Sequence, residues 1–306
     1  LTYESMLRTF SPEGLWPQDN QWGMHDYTRE GAQGATSFNE IIAKGYGEPQ
    51  SAKEFSELAQ WVNYDGHRSL FESRSLNRKG LLMWMSHSCW PSMVWQTYDY
   101  YFEPTAAYFA IKKASEPLHI QWNPATDEVE VVNYSAGMRK GLTAKVQVLN
   151  MDASVAWEKE VTIDSNEDTT NKCIKLEFPS NLSKVHFIKM TLTENGKVVS
   201  DNFYHRSLEE NNYQDLRTLP KVALQSNIST NKGADGAWNG KVVIENTTST
   251  PALMIRVNVV GEKDGEQFLP MFYSDNYFAL LPGEKKEVSF HWKDEDTRGN
   301  APKVVV

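Results

Sequence analysis

Gly80-Leu-Leu-Met-Trp-Met-Ser-His-Ser-Cys-Trp-Pro-Ser-Met-Val-Trp-Gln-Thr-Tyr-Asp-Tyr-Tyr101 is the stretch on which the fold turns. It opens on an apolar run, residues 81–85, long enough for one strand. A run without alternation suits a strand covered on both faces, as in a parallel α/β sheet. The loop that follows crowds together His87, Cys89, Trp90, Trp95 and Tyr98. Exposed aromatic area is costly, so surface loops rarely hold this many large rings. Upstream of this stretch the chain reads as α/β; beyond residue 116 it reads as β-sandwich.

Residues 51–77 predict the clearest helix. Ser51 and Glu54 have capping-box spacing, and Phe55, Leu58, Ala59 and Val62 form one apolar face. Arg78 and Lys79 favour the negative end of its dipole, and Gly80 ends it. After the strand and loop, residues 103–114 predict another helix, with Pro104 near its first position and two lysines in its last turn. Helix, strand, loop and helix make one αβα unit, which cannot close a sheet by itself. The expectation is that this unit packs on the first sandwich or pairs with another chain, burying the strand at 81–85.

Residues 1–50 read as loop-rich, with a short helix at 3–10 and breaks at Pro12, Gly14, Pro17 and Gly23. Trp16, Trp22, His25, Asp26 and Tyr27 sit in this irregular part, where such folds place ligand contacts. The competing reading is that Trp16 and Trp22 only plug the loop against the body.

From residue 116 the period changes to two. Segments 118–122, 128–132, 144–148, 156–163, 173–178, 185–192 and 197–203 predict seven short strands, the signature of an immunoglobulin-like sandwich. The acidic run 164–168 lacks the spacing of a calcium loop and reads as a solvated hairpin tip. Residues 208–219 read as a linker. A second sandwich follows over 220–306, with strands predicted at 222–226, 240–245, 254–260 and 288–292. Asp275 and Asn276 suit a self-bonded loop, Pro282-Gly283 a tight turn, and Val304-Val-Val306 an edge strand.

Composition narrows the function. A chain of 306 residues holds two or three domains. A formal net charge of -9 leaves nothing to neutralise phosphates, which argues against nucleic acid. Ten Trp and thirteen Tyr fit large cores on one reading and sugar stacking on the other. Cys89 and Cys173 fall in different predicted domains and are expected to be free thiols. No run has the length of a membrane span and no signal peptide is visible. Because the chain starts at Leu1 without Met, it reads as the C-terminal piece of something longer, with any targeting signal upstream. Asn133, Asn181, Asn227 and Asn246 each head an N-x-Ser/Thr triplet.

The motif Gly80-Leu-Leu-Met-Trp-Met…Trp90-Pro-Ser…Trp95-Gln-Thr-Tyr-Asp-Tyr-Tyr…Ala107-Tyr-Phe…Lys112-Lys-Ala-Ser-Glu-Pro-Leu-His-Ile-Gln121 resembles glycoside hydrolase family 2. The matching region is that family's last barrel strand, last barrel helix and barrel-to-sandwich junction. The branch is that of exo-β-glucosaminidases, β-mannosidases and endo-β-mannosidases. Gly45-Tyr-Gly-Glu-Pro and Tyr273-Ser-Asp-Asn…Leu281-Pro-Gly-Glu fit it too. The resemblance implies a multidomain fold: the C-terminal segment of a (β/α)8 barrel at 1–115, an immunoglobulin-like β-sandwich at 116–207, a linker at 208–219 and a second such sandwich at 220–306.

It also implies what this chain lacks. Retaining glycosidases use two carboxylates roughly 5 Å apart. In this family both lie on earlier barrel strands, so no catalytic residue is expected here and both are expected upstream of Leu1. Glu4 falls on the helix after the nucleophile's strand. What remains is pocket wall, since the C-terminal end of a barrel strand faces the site. Trp84 matches the family's sugar-stacking Trp. His87 stands where relatives carry Asn, which opens the question of substrate choice. Trp90, Trp95, Trp22, His25 and Asp26 are expected to line the rim, with structural packing the competing reading for Trp90 and Trp95. The resemblance implies a β-linked oligosaccharide or glycoconjugate as substrate, a terminal β-mannoside or β-glucosaminide in particular. It implies no cofactor or metal, no nucleic-acid or membrane partner, upstream domains of the same polypeptide as partners, and a periplasmic or secreted location.

Other chemistry fits poorly. Ser86, His87 and Cys89 stand too close along one strand exit to act as nucleophile and base, and no third group orients them. His87 and Cys89 lack a second metal-ligand pair. The alternative from another class is a non-catalytic carbohydrate-binding or structural sandwich module.

Overall fold

The structure is a computed structural model that describes residues 1–27, 34–73, 80–94, 96–233 and 236–306, without the side chains of 34–37. It divides into two compact units. One comprises residues 1–64, 83–109 and 219–306, and the other 65–82 and 110–218.

The second unit carries the first sandwich. Seven strands form: β1 (Leu118–Asn123), β2 (Glu128–Asn133), β3 (Arg139–Asn150), β4 (Val155–Ser165), β5 (Thr169–Lys175), β6 (Val185–Glu194) and β7 (Lys197–Ser207), with β5 lying earlier than the strand expected at 173–178 and ending at Lys175. They pair antiparallel in two sheets, β1-β2-β5 and β4-β3-β6-β7. Alternation does the sorting: along β3, Leu142, Ala144, Val146 and Val148 point inward and are fully buried. Leu142, Ala144 and Val146 meet Ile120, Val129, Val131, Ile188, Met190 and Tyr204 in one core. The buried Asn133 ends β2 and ties the loops behind it. Its Nδ2 donates to the carbonyls of Gly137, Ser165 and Asn166, each at 3.1 Å. Beyond β7 the predicted linker contains a 3-10 turn, Gln214–Thr218, and Lys184 reaches Glu209 at 3.2 Å and Asp215 at 3.6 Å.

The first unit holds most of the helices and the last sandwich. The helices are α1 (Tyr3–Thr9), α2 (Asn20–Met24), α3 (Gly34–Tyr46), α4 (Ala52–Glu72) and α5 (Ala106–Ala114). Residues 52–64 of α4 and 106–109 of α5 belong to this unit. α1 is capped by the Thr2 hydroxyl, and α2 by the Asp19 carboxylate. At the start of α4 the Ser51 hydroxyl accepts from Glu54 N at 3.2 Å, while the Glu54 carboxylate accepts from Gln50 N at 2.7 Å. Met6, Phe10, Trp22, Tyr27, Ile42, Phe55 and Ala59 form the helical core.

Two of these helices, α2 and α3, fall where the sequence reads as loop. Phe38, Ile41, Ile42 and Tyr46 have helical spacing that reveals α3; Ile42 and Tyr46 are buried by it. α5 begins later than predicted, because Pro104 bridges to Tyr98 instead of opening the helix, and the Thr105 hydroxyl donates to Thr97 O at 2.7 Å. The predicted extension of α4 to Asn77 and its basic end lie outside the described residues.

The last sandwich contains β8 (Gln225–Lys232), β9 (Ala237–Glu245), β12 (Phe272–Tyr273) and β14 (Lys285–Lys293) in the order β12-β14-β9-β8. β10 (Ala252–Ile255) pairs with β13 (Phe278–Leu280), and β11 (Asn258–Gly261) with β15 (Pro302–Val305). The edge strand expected from the apolar tail is therefore present. The single strand expected at 254–260 is broken in two. At the break, Asn276 replaces a neighbouring strand: its Oδ1 accepts from Val257 N at 2.7 Å and its Nδ2 donates to Val257 O at 2.9 Å. The strand expected at 222–226 starts instead at Gln225. Ala106 and Phe109 of α5 complete this sandwich's core.

The strand expected at 81–85 does not form, and the run is not buried. Leu82 is 98% exposed and Trp84 84% exposed. A strand exists only through hydrogen bonds to a neighbour. Among the described residues none pairs with this run, so the expectation of burial against a sandwich is overturned.

Candidate functional site

Residues 86–105 form a knot of short-range bridges in the first unit. His87 pairs with Tyr98 in a parallel bridge, and Tyr98 with Pro104 in an antiparallel one. Thr97 donates to Ser86 O through both its amide (3.0 Å) and its hydroxyl (3.1 Å). The buried Asp99 carboxylate holds the turn by accepting from Tyr101 N at 2.9 Å and Glu103 N at 3.1 Å. His87 lies between two rings, with Tyr98 and Phe102 each stacked on it at 5.0 Å. Met85 (φ 64) and Phe102 (φ 66), on either side of His87 in sequence, adopt left-handed backbone that such residues rarely take.

The knot leaves polar atoms without partners. His87 Nε2, Ser88 Oγ, Gln96 Oε1 and Asp99 Oδ2 are buried and unbonded among the described residues. Buried polar groups are nearly always paired, so four such atoms within thirteen residues stand out among the described residues.

The predicted site residues separate into groups. His25 and Trp90, 65 positions apart in sequence, stack at 5.6 Å. The His25 Nδ1 donates to Pro91 O at 2.7 Å, which fixes the ring's orientation. Trp90 keeps 40% of its surface exposed. Asp26 is half-buried in left-handed backbone (φ 68) beside them. Trp84 is an open indole, and no ring stacks on it among the described residues. Trp22 is a correction: it is fully buried, packs on Phe10, Tyr27 and Phe55, and donates from Nε1 to Gly14 O at 3.1 Å. It plugs the helical core and lines no rim. Trp95 lies outside the described residues.

A second carboxylate arrangement was not legible in the sequence. Arg256 bridges Glu4 (2.8 Å) and Glu103 (2.7 Å), and Glu103 also accepts from Gln267 Nε2 at 2.7 Å. Burial pushes the Glu103 carboxyl up to about 6 against the pull of Arg256, while Arg256 overcomes burial at Glu4 and holds it below the usual range. Two carboxylates pushed apart in this way imitate a glycosidase's acid and nucleophile. Here the guanidinium occupies the space between them, and Glu103 is buried. The trio is a clamp joining α1, the knot and β11's entry. A cavity of about 360 Å³ lies beside it, bordered by Glu4, Lys53, Trp61, Arg256 and Tyr277; none of the predicted site residues lines it. Among the described residues no three His, Cys, Asp or Glu side chains are placed to hold a metal ion. Cys89 and Cys173 are free thiols.

Known proteins give this geometry a family. Residues 202–306 match the model of the exo-beta-D-glucosaminidase Ig-fold domain. The exo-beta-D-glucosaminidase of Streptomyces avermitilis is 32% identical over 300 residues, covering 88% of this chain and 33% of that protein. The mannosylglycoprotein endo-beta-mannosidase of Lilium longiflorum is 25% identical over 349 residues, covering 92% and 36%. The crystal structure of Amycolatopsis orientalis exo-chitosanase CsxA superposes with a TM-score of 0.91 at 27% identity, covering 99% of this chain and 40% of that one. A β-D-mannosidase from Dictyoglomus thermophilum shares the fold at 17% identity, with a TM-score of 0.73. The chain spans about a third of the length of the curated relatives it matches. It is a C-terminal part of a glycoside hydrolase family 2 protein, in the branch of exo-β-glucosaminidases, β-mannosidases and endo-β-mannosidases.

Proposed function

We propose that this chain supplies the wall of a retaining β-glycosidase's sugar site and leaves the two catalytic carboxylates to the upstream part of the polypeptide. The observation that carries this reading is the open Trp84 indole on a stretch where His87, Ser88, Gln96 and Asp99 hold unpartnered buried polar atoms. A sugar ring offers what both features lack, an apolar face for the indole and hydroxyls for the polar atoms. Residues 1–115 are the end of a (β/α)8 barrel on this reading, residues 116–207 and 220–306 are accessory sandwiches, and 208–219 is the link between them. The whole protein hydrolyses a terminal β-glucosaminide or β-mannoside outside the cytoplasm, without metal or cofactor. Among the described residues no helix is long and apolar enough to cross a membrane.

Trp84 and His87 contact the sugar on this reading, with Trp90, His25 and Asp26 at the rim. The test is a panel of aryl β-glycosides offered to this chain and to the protein carrying the upstream part. Turnover by the longer protein only is expected. In the longer protein, Trp84→Ala is expected to lower kcat/KM about tenfold or more, through lost apolar ring contact. Turnover by the 306-residue chain overturns the division of labour. Sugar binding without turnover in the longer protein selects the non-catalytic module.

A further inference from the structure

The first sandwich's unit contains a buried imidazole whose two nitrogens both face carboxylates. His119, on β1, is 1% exposed. Its Nδ1 lies 3.1 Å from Glu116 Oε2, and its Nε2 lies 3.2 Å from Oε1 of Glu72, the last residue of α4. A neutral imidazole has one N–H and one lone pair, so one of these contacts would set a lone pair against an anion. With both carboxylates ionised, only the imidazolium, which donates from both nitrogens, satisfies both.

We propose that Glu72, His119 and Glu116 form a proton-held clamp that fastens the last turn of α4 to the sandwich and releases it as the solution turns alkaline.

The surroundings fit such a device. From β7, Tyr204 Oη donates to Glu72 Oε2 at 2.9 Å, Asn202 Nδ2 donates to Glu72 Oε1 at 2.7 Å, and Ser200 Oγ donates to Glu116 Oε2 at 2.6 Å. From the end of α5, Lys113 pairs with Glu116 at 2.9 Å and with Asp201 of β7. From β1, Gln121 donates to Glu72 O at 3.4 Å and to Glu130 of β2 at 2.9 Å. One turn before Glu72, the buried Arg68 lies over the Tyr204 ring at 4.0 Å and pairs with Asp65, which also takes Arg206 at 3.1 Å. Lys113 also serves Glu116, and Glu72 accepts from Asn202 and Tyr204, so a proton on His119 sets a positive charge between the two carboxylates.

Burial works against a charged His119, but the hydrogen bonds and charges of Glu116 and Glu72 outweigh it and raise its pKa. His205, on the neighbouring β7, is the internal contrast. Burial beside Arg206 and Arg68 pushes it down to about 3. A group whose folded pKa is raised gives stability that is complete below its unfolded value, near 6.5, and is lost as pH rises through the folded value.

The experiment is a pH titration of the isotope-labelled chain, with ring signals from NMR and amide exchange of residues 69–73 from mass spectrometry. His119 is identified by its loss in His119→Gln. Expected is an imidazolium at His119 through neutral pH while His205 stays neutral. Opening of the last turn of α4, corrected for intrinsic exchange and referred to β3, is expected to rise about tenfold per pH unit from near 6.5 up to the folded midpoint, then level off. His119→Gln should remove that step, and Glu116→Gln should lower the midpoint. A His119 midpoint at or below 6.5 overturns the clamp, as does exchange without a step or an unchanged step in His119→Gln. The wild-type titration decides the matter even if either variant fails to fold.

Discussion

The first sandwich and the stretch 80–102 are both rich in apolar residues, and their fates are opposite. In the sandwich every strand finds its neighbour within the next tens of residues, and the alternating residues close over one core. In the stretch, an apolar run as strong as any of those strands is left open, with Leu82 98% exposed and Trp84 84% exposed. Hydrophobicity says that a segment wants cover; pairing decides whether it gets it, and the partners here are not among the described residues. The same holds for polar groups. Asn133 in the sandwich spends its amide on three carbonyls, whereas the stretch keeps four buried polar atoms unbonded among the described residues.

Substitutions and titrations can break or sharpen this contrast. The largest effect belongs to the sandwich core: Ile188→Ala removes a fully buried side chain and is expected to cost about 2–5 kcal/mol, read by urea unfolding followed through hydrogen exchange in β3. Asn133→Ala comes next. It takes the donor from three carbonyls, of which that of Ser165 is buried, and is expected to cost about 1–3 kcal/mol; an unchanged unfolding midpoint would show that water replaces the amide.

Titration separates the two units. Glu103 is held up to about 6 by burial, so its contribution to the first unit is present below its unfolded value of 4.5 and lost as pH rises through 6. That loss is on the order of 2 kcal/mol, and carboxyl NMR should find the midpoint near 6. In the second unit, burial acts upward on Asp65 and Glu116, yet Arg206 and Arg68 at the former, and His119 and Lys113 at the latter, hold them below their ordinary values. Their contribution is present above those ordinary values and is lost as pH falls through the folded ones. Mild acid therefore favours the first unit before strong acid weakens the second. The smallest effect is Leu82→Ser, expected within about 0.5 kcal/mol in this chain because the side chain is already in water. A loss of several kcal/mol would mean that the run is covered after all.

What was legible follows the same division. Period two spells out β3 most plainly because its burial alternates along the chain, whereas β1 and β2 are buried almost throughout and show only in their residue types. β8 was misplaced because all of its residues are exposed, so no inward face marks its start. α3 was missed although Phe38, Ile41, Ile42 and Tyr46 spell it, since glycines and polar residues around it suggested loop. In the candidate stretch, the motif singles out Trp84 and His87, and the structure leaves the first open and stacks the second with Tyr98 and Phe102. The stacking of His25 on Trp90 and the bridging of Glu4 and Glu103 by Arg256 were not. Those partners lie far apart along the chain, and no local pattern records a contact made by the fold.

Asn133 and Asn246 have a consequence for how the protein can be made. Both are fully buried; Asn246 donates from Nδ2 to Thr250 O at 2.8 Å and to Leu280 O at 2.9 Å, and its Oδ1 accepts from Thr248. Their triplets, Asn133-Tyr-Ser and Asn246-Thr-Thr, are turn anchors written in the same letters as a glycan acceptor. In a eukaryotic expression host, a glycan attached to either amide before folding would compete with the turn it builds, while Asn181 and Asn227 stand exposed and open to decoration. Yield in such a host is then a race between oligosaccharide transfer and closure of two turns, and Ser135→Ala with Thr248→Ala would take both sites out of it.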